Sequence, residues 1–218
     1  MRARRVAIGT GVAFGVIAVL VRTEFSPLLE LDSDITRSAV DLARDHEAYR
    51  DAMKTATWLL HSQLVLLYAA LVAIGLAVAR RPVAAVWLGA VVGVGTAINP
   101  GLKALFDRER PVVPDPVETF HGLSFPSGHA ASAGLICAAL AVVFWPRPGP
   151  VGHAALVTGV VVIPLLSGWT RLTLGGHFLS DVVAGVLWTV AWVAAWQPAL
   201  PALERRVAAR NVHAPSSG

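Results

Sequence analysis

Residues 125–145 read FPSGHAASAGLICAALAVVFW, with Pro126, Ser127, Gly128 and His129 standing at the threshold of a long apolar run. The run carries no charge and has the character of a helix entering a bilayer. Ser127 is a good N-cap, Gly128 allows a ligand to approach the backbone, and the free N–H groups of the first turn make an anion site. The rest of the chain has the same apolar character. Of 218 residues, 55% are hydrophobic and 15% charged, and the mean hydropathy is +0.62. That composition lies outside the habits of soluble globular domains and makes a membrane protein the default reading.

Cutting the sequence at every Asp, Glu, Lys and Arg leaves six long uncharged segments: 6–21, 55–79, 82–102, 119–146, 148–170 and 182–203. Five reach the roughly 20 residues that a helix needs to cross about 30 Å of hydrocarbon, and the first is marginal. Segment 6–21 follows MRARR, but VRTEFSP after it offers no small-x-small cleavage site, so a retained first helix is expected. The expected fold is all-α: an integral membrane bundle of six transmembrane helices, in one domain over residues 1–211, with 212–218 as a disordered tail.

Six spans put both termini on one side. Arg2, Arg4, Arg5, Arg80, Arg81, Arg147, Arg205, Arg206 and Arg210 fall in the terminal segments and short connections of that side, with Glu204 as nearly the only acid. By the positive-inside rule these places are cytoplasmic. The 22–54 and 103–118 connections and the stretch LTLGGHF then lie on the extracytoplasmic face. The formal charge of +4 is explained by this topology, so nucleic acid is not an expected partner. Cys137, the one cysteine, lies within a span, which excludes an intrachain disulfide.

Residues 31–54 place Ile35, Ala39, Val40, Leu42 and Ala43 among charges. This pattern reads as a short amphipathic helix at the outer interface or as a solvated loop helix. Trp192 and Trp196 fall in the cytoplasmic half of the last span, where Trp196 suits headgroup depth, while Trp188 lies deeper.

Three polar clusters interrupt the apolar pattern, all on the outer face. In LKALFDRERPV, Lys103 and Arg110 are seven residues apart, so both cations share a helix face if the helix continues that far; Pro111 disfavours helix at Arg110. The second is PSGH. The third is TRLTLGGHFLSD, where His177 and Asp181 are four apart. The carboxylate can accept from one imidazole nitrogen and leave the other nucleophilic. Arg171 precedes them. Alone, Lys103 and Arg110 read as cations snorkelling at a helix end, and His177 with Asp181 as a structural hydrogen bond. Together, three cations, an anion-binding helix start and two histidines fit phosphate.

The three clusters resemble the signature of the type 2 phosphatidic acid phosphatase family, whose soluble relatives include bacterial acid phosphatases and vanadium haloperoxidases. Lys103 and Arg110-Pro111 match its first motif, Pro126-Ser127-Gly128-His129 its second, and Arg171, His177 and Asp181 its third. Thr170 stands where the family has Ser; it keeps the hydroxyl and adds a methyl. The resemblance implies that His177 attacks phosphorus to form a phosphohistidine and that Asp181 holds its tautomer. It implies that His129 protonates the leaving oxygen and then activates water. Lys103, Arg110, Ser127, Gly128 and Arg171 would bind the phosphate. No metal or other cofactor is implied.

The implied partner is a membrane lipid, with undecaprenyl pyrophosphate, phosphatidylglycerol phosphate and phosphatidic acid as candidate substrates. Transfer to an acceptor alcohol, or vanadate-dependent halide oxidation, are the alternative activities of such a pocket. Asp107, Arg108 and Glu109 are expected to lie near the substrate without contacting it, and His61 to be bonded within the bundle. The identity of the lipid and the oligomeric state stay open.

Overall fold

Helix α5, the run rich in Val, Ala and Gly over Pro82–Phe106, starts with Pro at its first position, where a missing N–H costs nothing, and keeps Pro100 in its interior. The same logic begins α7, Pro150–Thr173, which contains Pro164. In chain order the other helices are α1, Arg2–Arg22; α2, Ser26–Asp45; α3, Glu47–Leu59; α4, Ser62–Val78; α6, Gly128–Phe144; α8, Leu179–Trp196; and α9, Ala199–Val212. The computed structural model describes residues 2–114, 117–146 and 149–212, and these contain no strand. Arg147 and the expected tail beyond Val212 lie outside the described residues.

α6 occupies the centre and packs against α4, α5, α7 and α8. Its composition explains the position: Ala and Gly dominate, so neighbouring helices approach closely, and the helix is apolar all round. A Cβ on Gly185 of α8 would come 2.8 Å from the Ser127 carbonyl oxygen, and one on Gly168 of α7 would collide with Val182. α1 lies against α8, α2 against α7 and α8, and α3 against α7. Large apolar side chains point outward from α1, α4 and α7, among them Val12, Val16, Val19, Leu67, Leu71, Ile74, Val157 and Val161. That outward apolar belt suits a lipid surround.

Each uncharged segment contributes a helix, with corrected bounds. Segment 55–79 is broken at Leu60–His61 into α3 and α4, which bend by 47°. Segment 119–146 becomes helical only from Gly128, so α6 has 17 residues. Among the described residues, four helical stretches are long and apolar enough to cross a membrane: α1, α5, α7, and α8 running on through α9. The bent α3–α4 pair makes a fifth. The shortfall from six is α6, whose first residues belong to the polar threshold.

α2 is an amphipathic helix, and its apolar stripe faces the bundle. Asp32, Thr36, Ala39, Val40 and Ala43 are buried, a stripe at helical spacing that docks on the bundle, while Leu42 stays exposed. At the end of the bundle opposite the polar clusters, Arg81 donates to the Val143 carbonyl (3.3 Å), and Ala3 and Val6 border the same recess as Gln197. Trp188 packs against Phe14 and Trp192, within the bundle.

Candidate active site

α5 ends at Phe106, where Asp107 adopts a left-handed φ of 49° and its N–H closes on the Lys103 carbonyl. The helix therefore does not continue to Arg110, and the two cations do not share a helix face. They converge because the irregular chain after Asp107 brings Arg110 back over the site. Lys103 and Arg110 act electrostatically on each other, as do Arg171, His129 and His177 with their neighbours in the same group.

Lys103 donates to the carbonyls of Leu123 (2.6 Å) and Ser124 (3.1 Å). An ammonium has three protons, so one remains for a further acceptor. Arg110 donates from Nε to the carbonyls of His121 and Gly122, and from Nη1 to that of Gly176 at 2.5 Å. Burial lowers its pKa from the ordinary guanidinium value, against the opposing pull of Asp181. Arg171 stacks over Phe120 with its guanidinium carbon 4.1 Å from the ring centre, and the Glu118 carboxylate is 4.0 Å away. Its Nε is buried without a partner among the described residues. Phe120 also backs onto Gly176, where a Cβ would lie 2.9 Å from the ring.

Ser127 caps α6 weakly, accepting from the Ala130 N–H at 3.5 Å, and its own N–H donates to the Asp181 carbonyl at 2.9 Å. That backbone bond ties the start of α6 to the start of α8. Gly128 lies against Asn99, whose Oδ1 would be 3.2 Å from an added Cβ. His129 follows, its Nε2 buried and unpartnered. Thr170 is fully buried and donates to the Ser167 carbonyl, so its hydroxyl is bonded within its own helix.

His177 sits in the turn between α7 and α8, 2% exposed. Its Nδ1 lies 3.3 Å from Asp181 Oδ2, which also accepts from the Phe178 N–H at 2.9 Å. With Nδ1–H donating to the carboxylate, Nε2 of the neutral ring keeps its lone pair. Burial lowers the His177 pKa to about 4, outweighing the hydrogen bond and charge of Asp181, so the ring is neutral at pH 7.

Two features escape a reading of sequence spacing. Arg108 is bonded to three side chains of the protein: it donates to Asp181 Oδ1 (2.7 Å), Ser180 Oγ (2.7 Å) and Asp32 Oδ2 (2.8 Å). Asp32 in turn accepts from the Ser180 N–H and hydroxyl, at 2.9 and 2.5 Å. The one available signal was an acid in register with the small-residue stripe of α2. His61 is exposed and caps α4 by accepting from the Gln63 N–H; its ring meets that of His129 edge-on, with centroids 5.2 Å apart. It borders the site instead of being bonded within the bundle.

The eight residues singled out from sequence therefore gather at one end of the bundle: cations and a helix start on one side, a buried imidazole–carboxylate pair on the other. Such a set can hold a tetrahedral oxyanion against a neutral imidazole.

A family model described as the PAP2 superfamily matches residues 84–204, more than half of the chain and all three motif clusters. Among solved structures, the chain is similar to a transmembrane PAP2-type phosphatidylglycerolphosphate phosphatase from Bacillus subtilis, with a TM-score of 0.74 and 22% identity. The similarity covers 92% of this chain and 96% of that one, and at this identity it is a likeness of fold. No curated protein sequence matches the chain.

Proposed function

The chain belongs to the PAP2 superfamily, and from that premise we propose that it is an integral membrane phosphatase acting on a lipid phosphate or pyrophosphate through a phosphohistidine at His177. The observation that carries the reading is the buried His177–Asp181 pair, which leaves Nε2 as the free nitrogen of a neutral ring beside Lys103 and Arg110.

The Nε2 lone pair attacks phosphorus as the bond to the leaving oxygen breaks, and His129 donates the proton that this oxygen takes up. Charge on the transferring oxygens is met by Lys103, Arg110, Arg171, the Ser127 hydroxyl and the first N–H groups of α6. The unpartnered Arg171 Nε and His129 Nε2 support this assignment, because buried donors without acceptors are costly unless a ligand supplies them. Water then attacks the phosphohistidine, His129 accepts its proton, and phosphate leaves with His177 neutral again.

In this reading the protein is multi-pass, with α6 as a short sixth span among α1, α3–α4, α5, α7 and α8. The basic end of the bundle is cytoplasmic and the site extracytoplasmic. A lipid phosphate at headgroup depth reaches the start of α6 while its tails stay among the apolar helices. Undecaprenyl pyrophosphate, phosphatidylglycerol phosphate and phosphatidic acid all present this chemistry.

The test is phosphate release from those three lipids by detergent-purified protein with EDTA present, comparing wild type with His177→Ala. Release by wild type that the variant lacks, with acid-sensitive phosphate trapped on His177, is the expected result. Activity retained by His177→Ala would remove the covalent mechanism.

A further inference from the structure

Asp181 has three partners, and only one of them is His177. Its other oxygen is held by Arg108, and Arg108 is held by α2 through Asp32. Asp181 and Asp32 are essentially fully buried, and the Arg108 side chain is 9% exposed. The guanidinium also lies 4.1 Å over the ring of Phe178, the residue next to His177. Asp32 caps the first turn of α8 from outside that helix, where the N–H groups and the helix dipole favour an anion.

We propose that Asp32, Ser180 and Arg108 are positioning residues for the reaction: they clamp Asp181 and offset its negative charge, so that His177 keeps a neutral, correctly oriented imidazole. The proposal rests on the phosphohistidine reading above for its catalytic meaning. Asp181 facing His177 alone would stabilise the imidazolium and thereby remove the nucleophilic lone pair. Arg108 at 2.7 Å from the same carboxylate cancels much of that pull. Asp32 prevents the opposite fault, an overcompensated Asp181, because it shares the guanidinium. Docking of α2 is thus coupled to the electrostatics of the nucleophile, although α2 supplies none of the residues that would touch phosphate.

Removing Arg108 should raise the His177 pKa, and removing the Asp32 charge should lower it. The other charged or titratable groups facing His177 are Lys103 and Arg110 from the α5 side and His129 from α6; Arg171 of α7 reaches His129. All four stay unchanged in the variants.

The experiment is a pH titration of histidine-15N-labelled full-length protein in micelles, with the His177 signal assigned by its loss in His177→Gln. Arg108→Met should raise the His177 midpoint by at least about one pH unit, the size expected when an opposing charge is withdrawn. Arg108→Lys should leave it near the wild-type position, and Asp32→Asn should lower it. A purely structural role would cut activity in all three while leaving the midpoint of the folded protein unmoved, and that result overturns the proposal.

If Arg108→Met does not fold, Asp32→Asn decides alone, since a midpoint that rises or stays put contradicts the charge balance. Trapping phosphate on His177 of the wild type is run alongside. Its failure would remove the phosphohistidine reading, whereas the titration would still report whether the clamp acts.

Discussion

The two halves of the site hold charge in opposite ways. On the α8 side, Asp181, Asp32, Arg108 and Ser180 satisfy one another in a closed network of short bonds. On the cation side, Lys103 and Arg110 rest on loop carbonyls, Arg171 has an acid only at 4.0 Å, and the Arg171 and His129 nitrogens are left without acceptors. Buried charge is tolerated in apolar surroundings when it is paired and hydrogen-bonded. The first half meets that condition alone, and under the proposed function the second would meet it with a bound oxyanion. The contrast is between a side whose charges are closed on one another and a side whose charges are left open.

Breaking the closed side should have the largest effect. Asp181→Ala leaves Arg108 beside an unbalanced hole and frees the His177 ring, so activity should vanish and stability should fall by about 3–5 kcal/mol, as for one partner of a buried pair. Thermal unfolding in detergent together with phosphate release measures both. A variant that keeps its wild-type melting temperature would show that the network is not a framework.

Packing behind that framework comes next. Gly168→Ala on α7 forces a methyl into Val182, a stiff β-branched neighbour on α8. It should cost about 1–3 kcal/mol, the usual price of overpacking, and lower the melting temperature without changing which lipids are cleaved.

On the open side the effects should be smaller and should appear with substrate. Arg171→Lys keeps a cation but loses the planar fork, so kcat/KM should drop roughly tenfold while the melting temperature stays put. An equal loss of stability would mean that this side too is framework.

Smallest is Glu118→Gln. Its carboxylate lies 4.0 Å from the Arg171 guanidinium, so removing the charge should lower KM a few-fold, about the strength of a partly exposed ion pair. Steady-state kinetics on the preferred lipid would read it, and an increase in KM would mean that Glu118 assists binding.

The pH response sharpens the contrast. Because burial holds His177 near 4, its ring is neutral throughout the neutral range, and the lone pair that the proposed mechanism uses is lost only as pH falls through that value. Phosphohistidine formation should therefore persist to about pH 5 and decline below it. Rapid-quench trapping across pH measures this directly.

Much of the candidate site, on both sides, was legible in sequence. Lys103, Arg110, Ser127, His129, Arg171, His177 and Asp181 are polar residues among apolar ones, and a charge at the edge of a membrane span is conspicuous. The spacing of His177 and Asp181 pointed to their pairing, but the expected shared helix face is corrected: His177 lies in the turn before α8, and Asp181 reaches back to it from the first turn of that helix. The helix bounds were less legible. Nothing charged marks Leu60–His61, where the α3–α4 segment bends, or the point after Lys103 where Asp107 turns the chain.

Composition by itself determined the membrane class, because hydropathy sums over residues regardless of where they end up. Motif spacing picked out the candidate residues that the fold gathers at one end of the bundle, because each pair within a motif is joined by a short stretch of chain. Only the tertiary structure decided that Arg108 bonds Asp181 and that Asp32 joins the same network. Those bonds join residues 73, 76 and 148 positions apart in the chain. No local periodicity reports such a distance; it is set by the docking of α2 across α7 and α8, and therefore by packing.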